Sequence, residues 1–229
     1  MKPARTKFAS VLIVLLIATS SLIILVYENS TKKVTAQIIR VACIGDSITE
    51  WSQYPATLQA MLGDGYLVEN FGVAGSAVSK GSDKPYMNQA AFQQAKDFQP
   101  SVVVIMLGTN DAKEYNYRSI ASFPKDYEEL IGEYDALPDQ QMIWIVKPPP
   151  IYDNSLGLYN TYLEQGVLPC IEQVADDLNL PTIDVNQALT NHSEYFVDGV
   201  HPNSDGSEVI ASTISEAIDS SSVEDYWIG

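Results

Sequence analysis

The sequence predicts a single α/β domain in three layers, with a five-stranded parallel sheet between two layers of helices. Short β-branched runs alternate along the chain with longer segments of helical period, which is the pattern of a parallel sheet covered by helices. The 229 residues and the hydrophobic fraction of 46% suit one buried core plus a short appendage. A right-handed sheet of this size favours the flavodoxin-like strand order 2-1-3-4-5.

Five apolar runs are expected to form the strands, and each is apolar enough to be buried on both faces. They are Ile38 to Ile44, Tyr66 to Asn70, Ser101 to Leu107, Gln141 to Val146 and Thr182 to Val185. Three successive prolines, Pro148 to Pro150, should end the fourth strand because proline donates no ladder hydrogen bond. Helices fill the intervals.

The final helix has the clearest periodicity. Its capping candidates are Asn203 and Ser204. Apolar residues then recur at three- and four-residue steps, which gives the helix one apolar face to close the core. These residues are Val209, Ile210, Ile214, Ala217 and Ile218.

An uncharged run of 20 residues, Phe8 to Tyr27, precedes the domain. As a helix it would be about 30 Å long, enough to cross the hydrocarbon core of a bilayer. Basic residues in front of it predict a cytoplasmic N-terminus and an exported domain. The run is either a permanent anchor, which its length favours, or a signal cleaved near Val34 to Ala36. Residues 1–37 are therefore assigned to this segment and a linker, and residues 38–229 to the globular domain.

The exported part is strongly acidic. Beyond Ala36 the chain has eight basic and 28 acidic residues, a net charge of about −20. Such a surface repels nucleic acid, because binding to phosphate depends mainly on Lys and Arg. The acidity fits a high-salt habitat, where self-repulsion is screened, and equally fits ordinary solubility.

Cys43 and Cys170 are the two cysteines, and their spacing is not that of a metal site. The sequence implies neither a metal nor an organic cofactor. Export would permit a disulfide. In the predicted order, however, Cys43 lies in strand 1 and Cys170 in the helix between strands 4 and 5, at least two strands away. The offset is roughly 10 Å along the sheet and about 10 Å across it, whereas a disulfide needs Cα atoms within about 7 Å, so free thiols are expected.

Polar motifs follow the first three strands. Gly45 to Thr49 places Ser47 at a strand-to-helix turn, where helix amides can stabilise an oxyanion, although the motif alone also fits a simple turn or a phosphate cradle. Strand 2 ends in Asn70 to Ser76, whose glycines let backbone amides approach a ligand. Strand 3 ends in Gly108 to Asp111, where Asn110 is a candidate oxyanion donor or a turn residue. In the predicted order 2-1-3 the carboxyl ends of these three strands are neighbours at one edge of the sheet.

The motif DGVHP follows strand 5, and its glycine can bend the chain so that Asp198 meets His201. A serine hydroxyl needs a base to take its proton, and the base needs an acceptor on its other ring nitrogen. His201 and Asp198 fit these two roles for Ser47. The other histidine, His192, lies in a polar stretch and is expected to be an exposed loop residue.

The motifs GDS, a glycine after strand 2, GTND and DGVH, in this order, resemble the four sequence blocks of the SGNH (GDSL-like) hydrolase superfamily. The resemblance covers roughly Ile38 to Ile218. The stretches NFGVAG, GSDKPYMNQ and VVVIMLGTNDAKEYNY are similar to exported bacterial sialate or carbohydrate O-acetylesterases. The roles that the resemblance implies are nucleophile for Ser47, oxyanion donors for the Ser47 amide, Gly75 and Asn110, and acid and base for Asp198 and His201.

The expected reaction is hydrolysis of a small acyl ester, with acetyl on a carbohydrate favoured, through an acyl-enzyme intermediate. One alternative is a lysophospholipase or thioesterase, which a membrane anchor would hold near lipid. The other is a catalytically silent surface module that binds glycans, against which the complete triad argues. Four aromatic residues are candidates for stacking on a sugar ring or for ordinary packing, namely Trp51, Tyr86, Tyr115 and Tyr152.

Overall fold

The computed structural model describes residues 38–138 and 141–220. Its sheet has five parallel strands in the order β2-β1-β3-β4-β5, as predicted. The strands are β1 Ile39–Gly45, β2 Tyr66–Gly72, β3 Val102–Met106, β4 Met142–Lys147 and β5 Thr182–Asp184. The predicted anchor or signal segment lies outside the described residues.

The α-helices of the described ranges alternate with these strands. They are α1 Ser47–Trp51, α2 Tyr54–Leu62, α3 Ala90–Asp97, α4 Glu114–Tyr117, α5 Phe123–Asp135, α6 Asn160–Tyr162, α7 Leu168–Leu178, α8 Val185–Leu189 and α9 Ser204–Ser220. Short 3-10 turns lie at Tyr86–Asn88, Thr109–Ala112, Ile120–Ser122 and Ser193–Tyr195, and a π-helical turn lies at Leu163–Val167.

The sheet separates two apolar cores. Successive side chains of a strand point to opposite faces, so β1 directs Ala42 and Ile44 into one core and Val41 and Cys43 into the other. Helices α5 and α7 cover the first core, and α2 and α9 cover the second. The predicted three-layer arrangement is therefore confirmed.

The expectation that every strand is buried on both faces is wrong for the two edge strands. All five residues of β3 are buried, whereas β2 is half-buried or exposed along its length and β5 buries only Ile183. An edge strand has a neighbouring strand on one side only, which leaves its side chains more open to solvent.

The predicted end of the fourth strand and the predicted cap of the last helix are also observed. Strand β4 ends at Lys147, directly before the three prolines. Asn203 caps α9, since its Oδ1 accepts hydrogen bonds from the N–H groups of Asp205 at 3.0 Å and Gly206 at 3.1 Å. Within residues 38–138 and 141–220, each helix is too short or too polar to span a lipid bilayer.

Cys43 and Cys170 are free thiols on opposite sides of the sheet, because Cys43 lies in the core under α2 and α9 and Cys170 packs against the other core. We expect alkylation in denaturant without reductant to modify both residues of each chain. In the native protein Cys43 should resist alkylation, since it is fully buried and burial raises the pKa of its thiol to about 12. Mass spectrometry measures both states, and an unreduced chain that takes up no label in denaturant would contradict the strand order.

Candidate active site

Ser47 begins helix α1 directly after β1, at the carboxyl edge of the sheet. Asp46 caps this helix, since its Oδ1 accepts a hydrogen bond of 2.9 Å from the Ile48 N–H and its side chain is buried. Ser47 itself is only 8% exposed, so neighbouring residues cover most of its surface. The strand-to-helix turn thus holds one hydroxyl in a fixed position.

His201 joins Ser47 to Asp198. The His201 Nε2 lies 2.9 Å from the Ser47 Oγ, and the His201 Nδ1 lies 2.7 Å from the Asp198 Oδ2. An ionised carboxylate accepts and does not donate, so Nδ1 carries the proton and Nε2 accepts from the serine hydroxyl. This is the tautomer that can take the proton of Ser47 when its oxygen attacks.

The turn that joins Asp198 to His201 depends on Gly199. Its φ is +84°, and a Cβ at this position would collide with the backbone oxygen of Asp153. The bend lets the Asp198 Oδ1 accept hydrogen bonds from the N–H groups of Val200 and His201, at 3.0 and 2.8 Å. Partial burial raises the pKa of Asp198, but the hydrogen bonds from His201 and Val200 outweigh it, and the pKa is lowered overall. Asp198 is therefore ionised at neutral pH.

The turn after β2 lies against the start of α1. The Val73 N–H donates to the Gly45 carbonyl at 3.0 Å, and the Ala74 N–H donates to a carboxylate oxygen of Glu50. The Lys84 ammonium donates to the Ala74 carbonyl at 2.8 Å. These bonds fix the peptide that precedes Gly75, whose own N–H has no acceptor among the described residues. The sequence does not indicate these roles of Glu50 and Lys84, because each side chain bonds to a backbone group at least ten residues away.

Asn110 follows β3 and is buried beneath the same edge. Its Nδ2 donates to the Asp46 Oδ2 at 3.2 Å and to the Ser76 carbonyl at 3.1 Å. The expected oxyanion donor is thus close to the expected nucleophile's turn, but both of its N–H bonds already have acceptors. A substrate oxygen would have to replace one of these two long bonds.

Two buried carboxylates lie behind this edge. Asp111 is fully buried and accepts hydrogen bonds of 2.9 Å from the N–H groups of Val78 and Ser79. Burial raises the pKa of Asp111 to about 6, although these hydrogen bonds act to lower it. Burial also raises the pKa of Asp46 to about 6. In the sequence both acids are recognisable only as parts of turns, since nothing in a single sequence distinguishes a buried carboxylate from an exposed one.

A cavity of about 430 Å³ opens beside Ser47 and His201. Trp51 forms part of its wall, is 61% exposed, and has its ring centroid 5.2 Å from that of His201. The remaining wall includes Leu156 and Val197, both exposed. Trp51 thus occupies the position expected of a pocket aromatic.

The three other aromatic candidates do not line this cavity. Tyr86 is fully buried and donates to the Phe71 carbonyl at 2.7 Å, so its role is packing. Tyr152 donates to the Leu189 carbonyl at 2.8 Å and lines a separate hollow of about 720 Å³. Tyr115 is 59% exposed and lines a hollow next to the catalytic cavity.

The remaining expectations concern His192 and metals. His192 pairs with Glu194 at 2.9 Å in an exposed turn, as the polar surroundings predicted. Nowhere in the described ranges do three or more His, Cys, Asp or Glu side chains gather as ligands for a metal ion.

Residues 43–209 match the sequence profile of the GDSL-like Lipase/Acylhydrolase family. An acetylxylan esterase from Xylanibacter ruminicola is 35% identical over 206 aligned residues, which cover 79% of this chain and 43% of that protein. The chain thus spans less than half the length of this relative.

Solved structures share the fold. A carbohydrate acetylesterase from Sinorhizobium meliloti matches with a TM-score of 0.65 and 19% identity, covering 80% of this chain and 99% of its own. The aryl esterase of M. smegmatis matches with a TM-score of 0.66 and 17% identity, covering 80% and 99%. At such identities the likeness establishes the architecture alone.

The raised pKa of Asp111 makes stability depend on pH in an unusual direction. The carboxyl of Asp111 binds its proton more tightly in the folded protein, where its pKa is about 6, than in the unfolded chain, where its pKa is near 3.8. The protonated carboxyl therefore contributes stability that is fully present below pH 3.8 and is lost as the pH rises to about 6. We expect the change in unfolding free energy on going from pH 7.5 to pH 4 to be less favourable in Asp111→Asn than in wild type, by up to about 3 kcal/mol. Guanidinium unfolding at both pH values measures it.

Asp64→Asn, a change at an exposed aspartate, is the matched control and should keep the wild-type pH dependence. Equal pH dependence in Asp111→Asn and wild type would show that the buried carboxyl does not titrate in this range.

Proposed function

This chain belongs to the GDSL-like lipase/acylhydrolase family, and on that premise we propose that it is a serine esterase that removes acetyl groups from a carbohydrate. The observation that carries the proposal is the relay from Ser47 through His201 to Asp198, with heavy-atom distances of 2.9 and 2.7 Å. Such distances allow direct proton transfer from the nucleophile to the base.

In the proposed first half-reaction, the Ser47 Oγ attacks the ester carbonyl carbon while its proton passes to the His201 Nε2. Asp198 keeps the imidazole oriented and stabilises the imidazolium that forms. The tetrahedral intermediate then collapses, the ester C–O bond breaks, and His201 returns the proton to the sugar oxygen that leaves. The products are a free hydroxyl and an acetyl ester on Ser47.

Water completes the cycle in the second half-reaction. His201 takes a proton from the water as its oxygen attacks the acetyl-Ser47 carbonyl, and then returns that proton to the Ser47 Oγ as acetic acid leaves and ionises in solvent. Both steps pass through an oxyanion. The N–H groups of Ser47 and Gly75, which have no acceptor among the described residues, are the proposed donors together with the Asn110 amide.

The choice of an acetylated carbohydrate has two supports. The acetylxylan esterase relative is 35% identical. In addition, the exposed face of Trp51 beside His201 offers a flat apolar surface on which a sugar ring can stack. A lysophospholipase or thioesterase would shield a long acyl chain from water in an enclosed apolar channel, whereas the cavity at Ser47 is walled by exposed side chains and opens to solvent.

The proposal also includes a location. The uncharged run from Phe8 to Tyr27, with basic residues before it, supports export of the domain, either held at the membrane or released after cleavage. An acidic exported esterase would meet its glycan outside the cell.

The direct test uses a fluorophosphonate, which forms a covalent bond with an activated serine. We expect labelling at Ser47, loss of labelling in Ser47→Ala, and preserved labelling in Ser52→Ala, which removes the second serine hydroxyl that lines the cavity. The same protein should release acetate from acetylated xylo-oligosaccharides and lose activity on p-nitrophenyl esters as the acyl chain lengthens. Labelling elsewhere, or a preference for long acyl chains, would overturn the proposal.

Asn110→Ala should lower kcat on p-nitrophenyl acetate by about 10² to 10³, because one oxyanion donor is lost while nucleophile and base remain. KM should change much less than kcat. Because Asn110 is buried and also supports Asp46 and Ser76, thermal unfolding of the variant must show that the fold persists. A folded variant with unchanged kcat would remove Asn110 from the mechanism.

A further inference from the structure

A second hollow, of about 350 Å³, adjoins the catalytic cavity. Leu156 belongs to both, since it lines the cavity with Ser47 and His201 and lines the hollow with Tyr115 and Tyr159. The two spaces therefore adjoin at Leu156, and together they are called the groove.

The exposed apolar surface of the described residues is concentrated in this groove. Nine large hydrophobic residues are exposed in the described ranges, and five of them line its two parts. These five are Trp51, Tyr115, Leu156, Tyr159 and Val197. A contiguous exposed apolar strip indicates a binding surface, whereas scattered exposed residues need no explanation.

The floor of the hollow is held in a defined shape. The side chain of Asn154 accepts from the N–H of Leu156 at 2.9 Å and donates to the carbonyls of Tyr152 at 2.9 Å and Leu158 at 3.0 Å. The Tyr159 N–H donates to the Ala112 carbonyl at 3.1 Å. A surface fixed in this way loses little entropy when a ligand binds.

The ring of Tyr159 packs against a stacked pair of tyrosine rings. Its ring contacts that of Tyr162 at a centroid distance of 5.2 Å, and Tyr162 stacks on Tyr117 at 4.1 Å with an interplanar angle of 7°. Tyr115 differs from Tyr159, because it stands at the rim with the Arg118 guanidinium 5.8 Å from its ring centre.

The charge of the hollow distinguishes it from an apolar channel. Lys113, Glu114 and Arg118 lie in its wall. No carboxylate of the described residues forms an ion pair with Arg118, although the whole chain carries a net charge of −16. Hydrogen-bond donors beside exposed aromatic rings suit a sugar, which has apolar ring faces and hydroxyl edges, and do not suit an acyl chain.

We propose that this hollow is a subsite that binds sugar units of the substrate chain beyond the esterified unit, with Tyr115 as a stacking platform and Arg118 as a donor to sugar oxygens. The inference rests on the proposed function, in that the ester is carried by an oligosaccharide. Its consequence is that the protein discriminates by the length of the glycan as well as by the acyl group.

The test compares two substrates within each variant. We expect the ratio of kcat/KM for partially acetylated xylotetraose to kcat/KM for p-nitrophenyl acetate to fall about fivefold to tenfold in Tyr115→Ala, because the aromatic face is lost. Tyr115→Phe should keep the ratio within about twofold, since the ring remains. Leu178→Ala, a change at an exposed apolar residue outside the groove, is the matched control and should keep the wild-type ratio. Thermal unfolding verifies each fold.

A binding experiment separates failure of the subsite from failure of the proposed function. Unacetylated xylotetraose is titrated calorimetrically into Ser47→Ala and into the double variant with Tyr115→Ala, and the second should bind about fivefold to tenfold more weakly. If no acetylated sugar is hydrolysed but this difference persists, the carbohydrate esterase proposal fails and the subsite stands. An unchanged ratio, or equal binding by the two variants, overturns the subsite.

Discussion

The parallel pairing of β1 with both β2 and β3 is the constraint on which the rest of this molecule depends. The register sets Gly45 opposite Gly72 on one side and opposite Met106 on the other. Three chain segments therefore leave the sheet at one level of its carboxyl edge, and the polar turns that follow them converge. Helix α9 and the turn before it then bring His201 to the same edge from the far end of the sequence.

At this edge hydrogen bonds between buried polar groups hold the chain segments together, as apolar packing does elsewhere in the fold. Asp46, Asn110 and Asp111 are all buried, and each has hydrogen-bond partners on another turn or on the helix that follows. Buried polar groups are tolerated when they are paired in this way, and they leave the crevice open where larger apolar side chains would fill it. The pKa values of Asp46 and Asp111 are raised, because burial disfavours their charged forms in the folded protein.

Much of this arrangement could be predicted because it is encoded locally. The strands follow from hydrophobic periodicity, and their order follows from the right-handed crossovers of parallel sheets. The relay follows from two short motifs whose residue types allow few other combinations. Contacts between distant segments could not be predicted. The bond from Ala74 to Glu50, the burial of Tyr86, and the occupation of both Asn110 donors each depend on how loops fold back on the sheet. The exposure of β2 likewise depends on where the covering helices end.

The segment from Tyr152 to Tyr159 is joined to the turn that carries Asp198 and His201. The Tyr152 N–H donates to the Gly199 carbonyl at 2.8 Å, and the Asp153 backbone packs where a side chain at position 199 would lie. An insertion or deletion in this segment would therefore displace the base and its partner along with the groove. Replacement of a single side chain in this segment, such as Leu156 or Tyr159, would instead alter the groove and leave the backbone contacts to Gly199 in place.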